Sequence, residues 1–307
     1  MLLKTSYKES MDKNKNLKPK LPKLFISLSV IPSIVLTIVF MIIPTIEAFR
    51  LSFTNSTGMG GSYDFVGIKN YTYMFQDSLF LLSLKNTLKL MAVIPVITVL
   101  LALIFAFVLT QTKLKEKGIY RVIYFMPSII SLTVIGIIFS FIFNPTMGSL
   151  NNMLINVGLK ELALAWLGDS RTALWCIGVT LIWQSTGYYM VMHIAAIDGI
   201  SPDIMEAATI DGAGQFQILV KIILPLLRNI IGITYVLSLS GTLALSFILS
   251  KVMTGGGPSG SSTVLLQYMY QQAFTNSNFG YAMAIAIFTL VISIGLSVVS
   301  RGLTNKE

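Results

Sequence analysis

The sequence predicts an all-α, polytopic membrane protein with six transmembrane helices and a short helix on the cytoplasmic face between the fourth and fifth. Three observations lead there. Of 307 residues, 54% are hydrophobic and only 11% are charged, whereas soluble domains carry about 25% charged residues. Six runs lack Asp, Glu, Lys and Arg over lengths that meet the roughly 20 apolar residues a bilayer requires. The net charge of +9 falls unevenly on the links between those runs.

The charge-free runs come in order. Leu24 to Ile46 is the first, Leu90 to Thr112 the second, and Val122 to Phe143 the apolar part of the third, which ends at Asn144-Pro145. Thr172 to Ile197, Asn229 to Ser250 and Phe279 to Ser300 are the fourth, fifth and sixth. With flanking turns, the expected spans are about 24–50, 86–112, 120–143, 172–197, 222–250 and 279–300. Lipid offers no water to unpaired amides, so each is expected to be a helix. The first run exceeds the 7–15 residues of a signal-peptide core and lacks a small-x-small cleavage site, so it is expected to be retained.

Residues 1–23 form a basic segment with seven lysines against Glu9 and Asp12. The second-to-third link carries Lys113, Lys115, Lys117 and Arg121. The fourth-to-fifth carries Lys221 and Arg228, and the tail 301–307 adds Arg301 and Lys306. The other links are poorer in Lys and Arg, so the positive-inside rule places both termini in the cytoplasm. Basic residues beside membrane spans meet anionic lipid, and nucleic acid is not an expected partner. A lone Cys176 and a lone His193 exclude an intrachain disulfide and give no metal-ligand spacing. The outer links read as glycine-rich and aromatic (54–84), irregular or amphipathic (144–171), and as a turn at Gly255-Gly256-Gly257-Pro258.

The fourth-to-fifth link is different. Ser201 can cap a helix, Pro202 suits its first position and Asp203 favours its positive end. Gly212 and Gly214 end the helix and permit a sharp turn, giving a short helix over about 202–213. Glu206 offers a charge beside two small residues, Ala207 and Ala208, which would let another surface approach closely.

At these residues the chain resembles the permeases of bacterial ATP-binding-cassette importers. Glu206-Ala207-Ala208, then Asp211-Gly212-Ala213, Ile222 and Leu224-Pro225, resemble that family's cytoplasmic signature. The resemblance covers nearly the whole chain. Phe65 to Tyr71 with Lys85 to Leu88, and Met253 to Pro258 with Phe279 to Ala282, look like the carbohydrate-uptake branch, the maltose-type and glycerol-phosphate-type permeases. Leu219 and Asn229 depart from the family's frequent aromatic and proline.

The resemblance implies a transport subunit of the bacterial cytoplasmic membrane without a catalytic site. Its implied partners are a second, homologous permease, two ATPase subunits and an extracellular solute-binding protein. No G-x-x-x-x-G-K-[ST] sequence occurs, so ATP is expected on the partners and no cofactor on this chain. Glu206, Ala207, Ala208, Asp211 and Gly212 would couple ATP hydrolysis to transport. A sugar pathway needs hydroxyl-bonding groups and an aromatic facing the bundle interior. The fourth run supplies Gln184 and Tyr188 within a cluster from Trp183 to Tyr189. The third supplies Ser128 and Ser131, and the fifth Ser238 and Thr242; small hydroxyls also serve plain helix packing. A secondary transporter or channel is the alternative, but it would normally need intramembrane carboxylates. An intramembrane enzyme would need a nucleophile–base or metal constellation.

Overall fold

Long apolar runs become helices wherever proline or a polar cluster does not intervene. The computed structural model describes residues 23–58, 60, 63–111 and 115–304. The lysines before residue 23, Lys113 and Lys306 lie outside the described residues. Among the described residues there is no strand, only an isolated antiparallel bridge between Thr54 and Phe65.

The chain divides into two units, residues 1–50 and 51–307. In the first, α1 (Lys23–Thr37) and α2 (Ile43–Leu51) flank a π-helical turn at Ile38–Ile42. Hydroxyls of Thr37 and Thr45 donate to the carbonyls of Ser33 and Met41 four residues earlier, and Arg50 pairs with Glu47 at 2.6 Å.

The second unit is organised around α4. After the short helix α3 (Lys69–Met74), α4 runs from Ser78 to Gln111. It begins well before the expected span 86–112, because Lys85 and Lys89 interrupt the charge-free run without interrupting the helix: both are exposed. The third run is a correction. It is not one helix but α5 (Lys117–Phe125), a 3-10 turn at Met126–Ser128 and α6 (Leu132–Ile142), with a 94° bend. Pro127 lies in the turn, where it cannot continue a hydrogen-bonded helix.

After α7 (Ser149–Asn156), α8 (Ala173–Asp198) packs along α4. Next come α9 (Pro202–Ile210) and then α10 (Gln215–Ile218), which passes through a π turn into α11 (Leu224–Leu226). The last long helices are α12 (Arg228–Met253) and α14 (Phe279–Thr304), with α13 (Leu265–Tyr270) between them.

Among the described residues, four helices are long and apolar enough to cross a membrane: Val30–Leu51, Ser78–Gln111, Arg228–Met253 and Phe279–Val298. The bent α5–α6 pair makes a fifth if it forms one span. By apolarity alone the described residues therefore show four or five spans. The helix left out is α8, long enough at 26 residues but diluted by Gln184, Ser185, Thr186 and two tyrosines.

Apolar clusters join the helices at both ends of the bundle. Leu90 and Ile94 of α4 meet Ile135, Phe139, Ile177 and Leu249. At the other end Ala102, Leu103 and Ala106 meet Met190, Ile194, Ile223 and Leu227.

The segment from Thr254 to Asn278 is held by side chains. The Asn86 amide donates to the carbonyls of Ser261 (2.9 Å) and Thr263 (3.0 Å), and Thr87 accepts from the Leu265 amide at 2.8 Å. Asp77 accepts from the backbone of Leu79 and Phe80 and from the hydroxyls of Tyr268 and Tyr281. Burial first, and then the Asp77 carboxylate, push the Tyr268 phenol well above its ordinary range, so it stays a donor.

Candidate functional site

The short helix α9 starts as its sequence requires. Ser201 is extended (ψ 131°) and Pro202 takes the first turn. The Ser201 side chain makes no capping bond; only its carbonyl is used, accepting from Ile204. The helix ends where Gly212 turns to φ +77°, a conformation that costs glycine little. There the amides of Asp211, Gly212 and Ala213 donate to Ala207, Thr209 and Ala208.

The faces of α9 differ from expectation at one residue. Ala208 is 7% exposed and packs, with half-buried Met205 beside it, into the cluster holding Ile197, Ile218 and Ile223. It seats the helix on its own chain, so it does not present itself to a partner. Glu206, Ala207, Asp211 and Gly212 are exposed. Asp203, Glu206, Ala207 and Ile210 recur at helical spacing, and all four are exposed, Ile210 at 85%. The open face is thus acidic with an apolar end. Ile210, and Phe216 at 76% exposure, were not singled out from the sequence. The signal was an apolar residue three and four positions after Ala207 and Glu206.

The second site is the break between α5 and α6. The Ser128 hydroxyl donates to the Gln184 carbonyl at 3.0 Å, fixing the break against the middle of α8. Gly187 permits the approach: a Cβ there would lie 1.7 Å from the Tyr124 carbonyl oxygen. Ser131, exposed, begins α6 without a side-chain cap. The Gln184 side chain accepts from the Ser185 hydroxyl at 2.8 Å. Trp183 rests on Phe139 with ring centres 5.2 Å apart. Tyr188 is 47% exposed, its ring set edge-on to buried Tyr189.

Two expected pathway residues sit elsewhere. Ser238 and Thr242 are both 4% exposed, and Thr242 donates back to the Ser238 carbonyl. The Thr242 hydroxyl is spent on its own helix and both side chains are buried, so these two do not join the open polar surface. Two ties were not read from the sequence. Arg121 pairs with Asp198 at 3.3 Å, linking the broken segment to the end of α8 just before α9. His193 Nε2 meets the Thr234 hydroxyl at 3.0 Å, joining α8 to α12. The Thr234 hydroxyl also lies within hydrogen-bonding reach of the Ile231 carbonyl.

The described helices thus include a bent pair, α5–α6, set against the middle of α8, and a short helix, α9, between two long ones. Residues 90–305 match the family of binding-protein-dependent transport system inner membrane components. The chain is 36% identical over 291 residues to the probable ABC transporter permease protein YurN of Bacillus subtilis, covering 94% of this chain and 97% of that one. It is 33% identical over 266 residues to the diacetylchitobiose uptake system permease protein NgcF of Streptomyces coelicolor, covering 84% and 75%. In fold it matches a chain of a bacterial ABC transporter involved in alginate import, with a TM-score of 0.81 at 22% identity over 92% and 96% of the two chains. The chain belongs to the binding-protein-dependent permease family: it is a membrane permease of the ATP-binding-cassette importers.

Proposed function

We propose that this permease imports a sugar or oligosaccharide delivered by an extracellular solute-binding protein, and that α9 couples its movement to ATP hydrolysis by partner ATPases. In this reading six spans cross the membrane, with α8 as a polar-lined span and α5–α6 as a broken one. Both termini lie in the cytoplasm, and a second, homologous permease completes the pathway. ATP binds the two ATPase subunits, and this chain carries no catalytic site or cofactor.

The observation that carries the coupling role is the division of α9. Met205 and Ala208 hold it to its own chain, while Asp203, Glu206, Ala207 and Ile210 stand open on the other side. A helix seated by one face and open on the other transmits displacement as a rigid body. Alternating access needs such a two-state element biased by a ligand. The broken helix beside Gln184 and Tyr188 supports the pathway, since irregular backbone at membrane depth is tolerated where it lines a cavity. NgcF, a relative named for diacetylchitobiose uptake, supports the sugar class.

Replacing Glu206 by Arg tests this. The position is exposed, so membrane level should remain normal. ATP-dependent sugar uptake by the reconstituted complex should fall at least tenfold, because a close charge pair at an interface is worth about 2–5 kcal/mol when buried. Wild-type uptake by this variant would remove the coupling role from Glu206.

A further inference from the structure

Three contacts tie α5 and the turn after it to α8. The Ser128 hydroxyl bonds the Gln184 carbonyl, the Tyr124 backbone crosses close to Gly187, and Arg121 pairs with Asp198. The first two lie at the middle of α8 and engage backbone atoms, so they fix the crossing. The third lies at its end: Asp198 is the last residue of α8, and Pro202 begins α9 soon after. α5 thus reaches from the α9 junction to the break beside Gln184 and Tyr188. The third contact is also incomplete. Only Nη2 of Arg121 reaches Asp198, at 3.3 Å from Oδ2, beyond the about 2.7–2.9 Å of a well-formed charge-assisted bond. Arg121 Nε is buried and has no hydrogen-bond partner among the described residues. Two other arginines of this chain show a complete pair. Arg171 reaches Asp169 through Nε at 3.2 Å and Nη2 at 2.7 Å. Arg50 reaches Glu47 through Nε at 3.0 Å and Nη2 at 2.6 Å.

We infer that Arg121 is a positioning residue of the transport cycle: when ATP displaces α9, the end of α8 and α5 close into a two-pronged Arg121–Asp198 pair, and that closure moves the break. The inference rests on the proposed coupling role of α9. A guanidinium presents paired N–H donors to a carboxylate, and a buried N–H without a partner costs free energy. Completing the pair relieves that cost, so the latch has two arrangements that a ligand can bias. α9 cannot move far without Asp198, since only Gly199, Ile200 and Ser201 separate them. A displacement reaching Asp198 meets Arg121, on a short helix that ends at the Pro127 turn. The Tyr124 ring is stacked on Phe105 of α4 with centres 4.8 Å apart. Apolar contact is non-directional, so α5 can tilt against α4. The two side chains are 38% and 53% exposed, so the closed pair is weak enough to reopen in each cycle.

The test uses the assembled transporter, with partner permease and ATPases, in lipid nanodiscs. A pair completed only in the ATP-bound state raises the affinity for ATP by the factor that ATP raises its closure. The readout is the affinity for a non-hydrolysable ATP analogue, with ATPase copurification as the check on assembly. Arg121→Lys keeps the charge but not the fork of donors. It should weaken analogue binding about fivefold, the upper end for a partly exposed ion pair, with copurification normal. Asp198→Asn should do the same, and the double variant should be no worse than either. Wild-type affinity in Arg121→Lys, or losses that add in the double variant, would overturn the latch. Sugar uptake by Glu206→Arg is scored separately in liposomes. If that variant imports as wild type does, the coupling role fails and the latch falls with it. If Glu206→Arg loses uptake while Arg121→Lys binds the analogue normally, only the latch falls.

Discussion

The two ends of the bundle are held by different forces. At the end carrying the loop 254–278, half-buried Asp77 and buried Asn86 and Thr87 fasten the loop through directed hydrogen bonds. At the other end, α9 is seated by Met205 and Ala208 on an apolar cluster. Among the described residues no side-chain hydrogen bond from α9 reaches another element; the Thr209 hydroxyl bonds only to the Met205 carbonyl. Directed bonds in a dry setting fix a single arrangement, whereas apolar contact is non-directional. One end is therefore built to stay in register, and the other can shift as a unit without breaking polar pairs. A coupled transporter needs both.

The largest effect is expected where the two ends meet, at Gly187. Gly187→Val places a side chain inside the Tyr124 backbone, and neither helix can yield without moving the break. The cost should reach or exceed the top of the about 1–3 kcal/mol range for overpacking. Membrane level and heat resistance of the detergent-solubilised complex should both collapse. Gly295→Ala is the control, since nothing lies within 4 Å of a Cβ there. Normal levels of Gly187→Val would mean that the close crossing is not needed to hold the broken helix.

Next in size is the loop end. Asn86→Ala leaves the buried Thr263 and half-buried Ser261 carbonyls without the Asn86 donor, at about 1–3 kcal/mol. The loop should then become sensitive to proteases applied from its side of the membrane, while α9 keeps its wild-type protection. Loosening of both ends together would erase the contrast drawn between them.

How much of this was legible in the sequence varies by residue and cause. Charge-free runs gave the all-α membrane class, and the turn at Gly255 to Pro258 was visible. The start of α4 was not, because Lys85 and Lys89 look like an ending when they are merely an exposed face. The break in the third run hid inside an apolar stretch, although Pro127 marked it. Gly187 was visible only as a glycine in a helix; which backbone crosses there is a tertiary fact. Half-buried Gln184 and exposed Tyr188 stand out in the sequence as bulky polar groups in the middle of an apolar run. Ser238, Thr242 and Ala208 were not, because small residues serve equally at a buried contact and at an open surface.

A smaller pair of effects sharpens the reading of α9. Ala208→Leu should crowd the cluster with Ile197 and Ile218, at about 1–3 kcal/mol, lowering membrane level. Ala207→Leu, one residue along and exposed, should leave level within about 0.5 kcal/mol of wild type but weaken copurification of the ATPase subunits. Copurification and membrane level are read together. If Ala208→Leu is stable and loses the ATPases while Ala207→Leu keeps them, the faces of α9 are assigned the wrong way round.

The smallest effect on stability is expected at Tyr188, and there the mid-span site is most exposed to refutation. Its ring is half open, so Tyr188→Ala should keep the fold within about 0.5 kcal/mol. Tyr189→Ala, which empties a buried position in the same helix, should cost about 3–5 kcal/mol, as buried aromatic truncations do. Sugar uptake should invert the order of concern. An aromatic contact is worth about 0.5–1.5 kcal/mol beyond burial, so Tyr188→Ala should raise the half-saturating sugar concentration of uptake by about two- to tenfold. Tyr188→Phe separates the ring from the hydroxyl: retained uptake assigns the role to stacking, and a loss equal to that of alanine assigns it to a hydrogen bond. Uptake and substrate range unchanged in Tyr188→Ala would leave the polar cluster as helix packing beside the break. The pathway would then have to be sought on another face of α8.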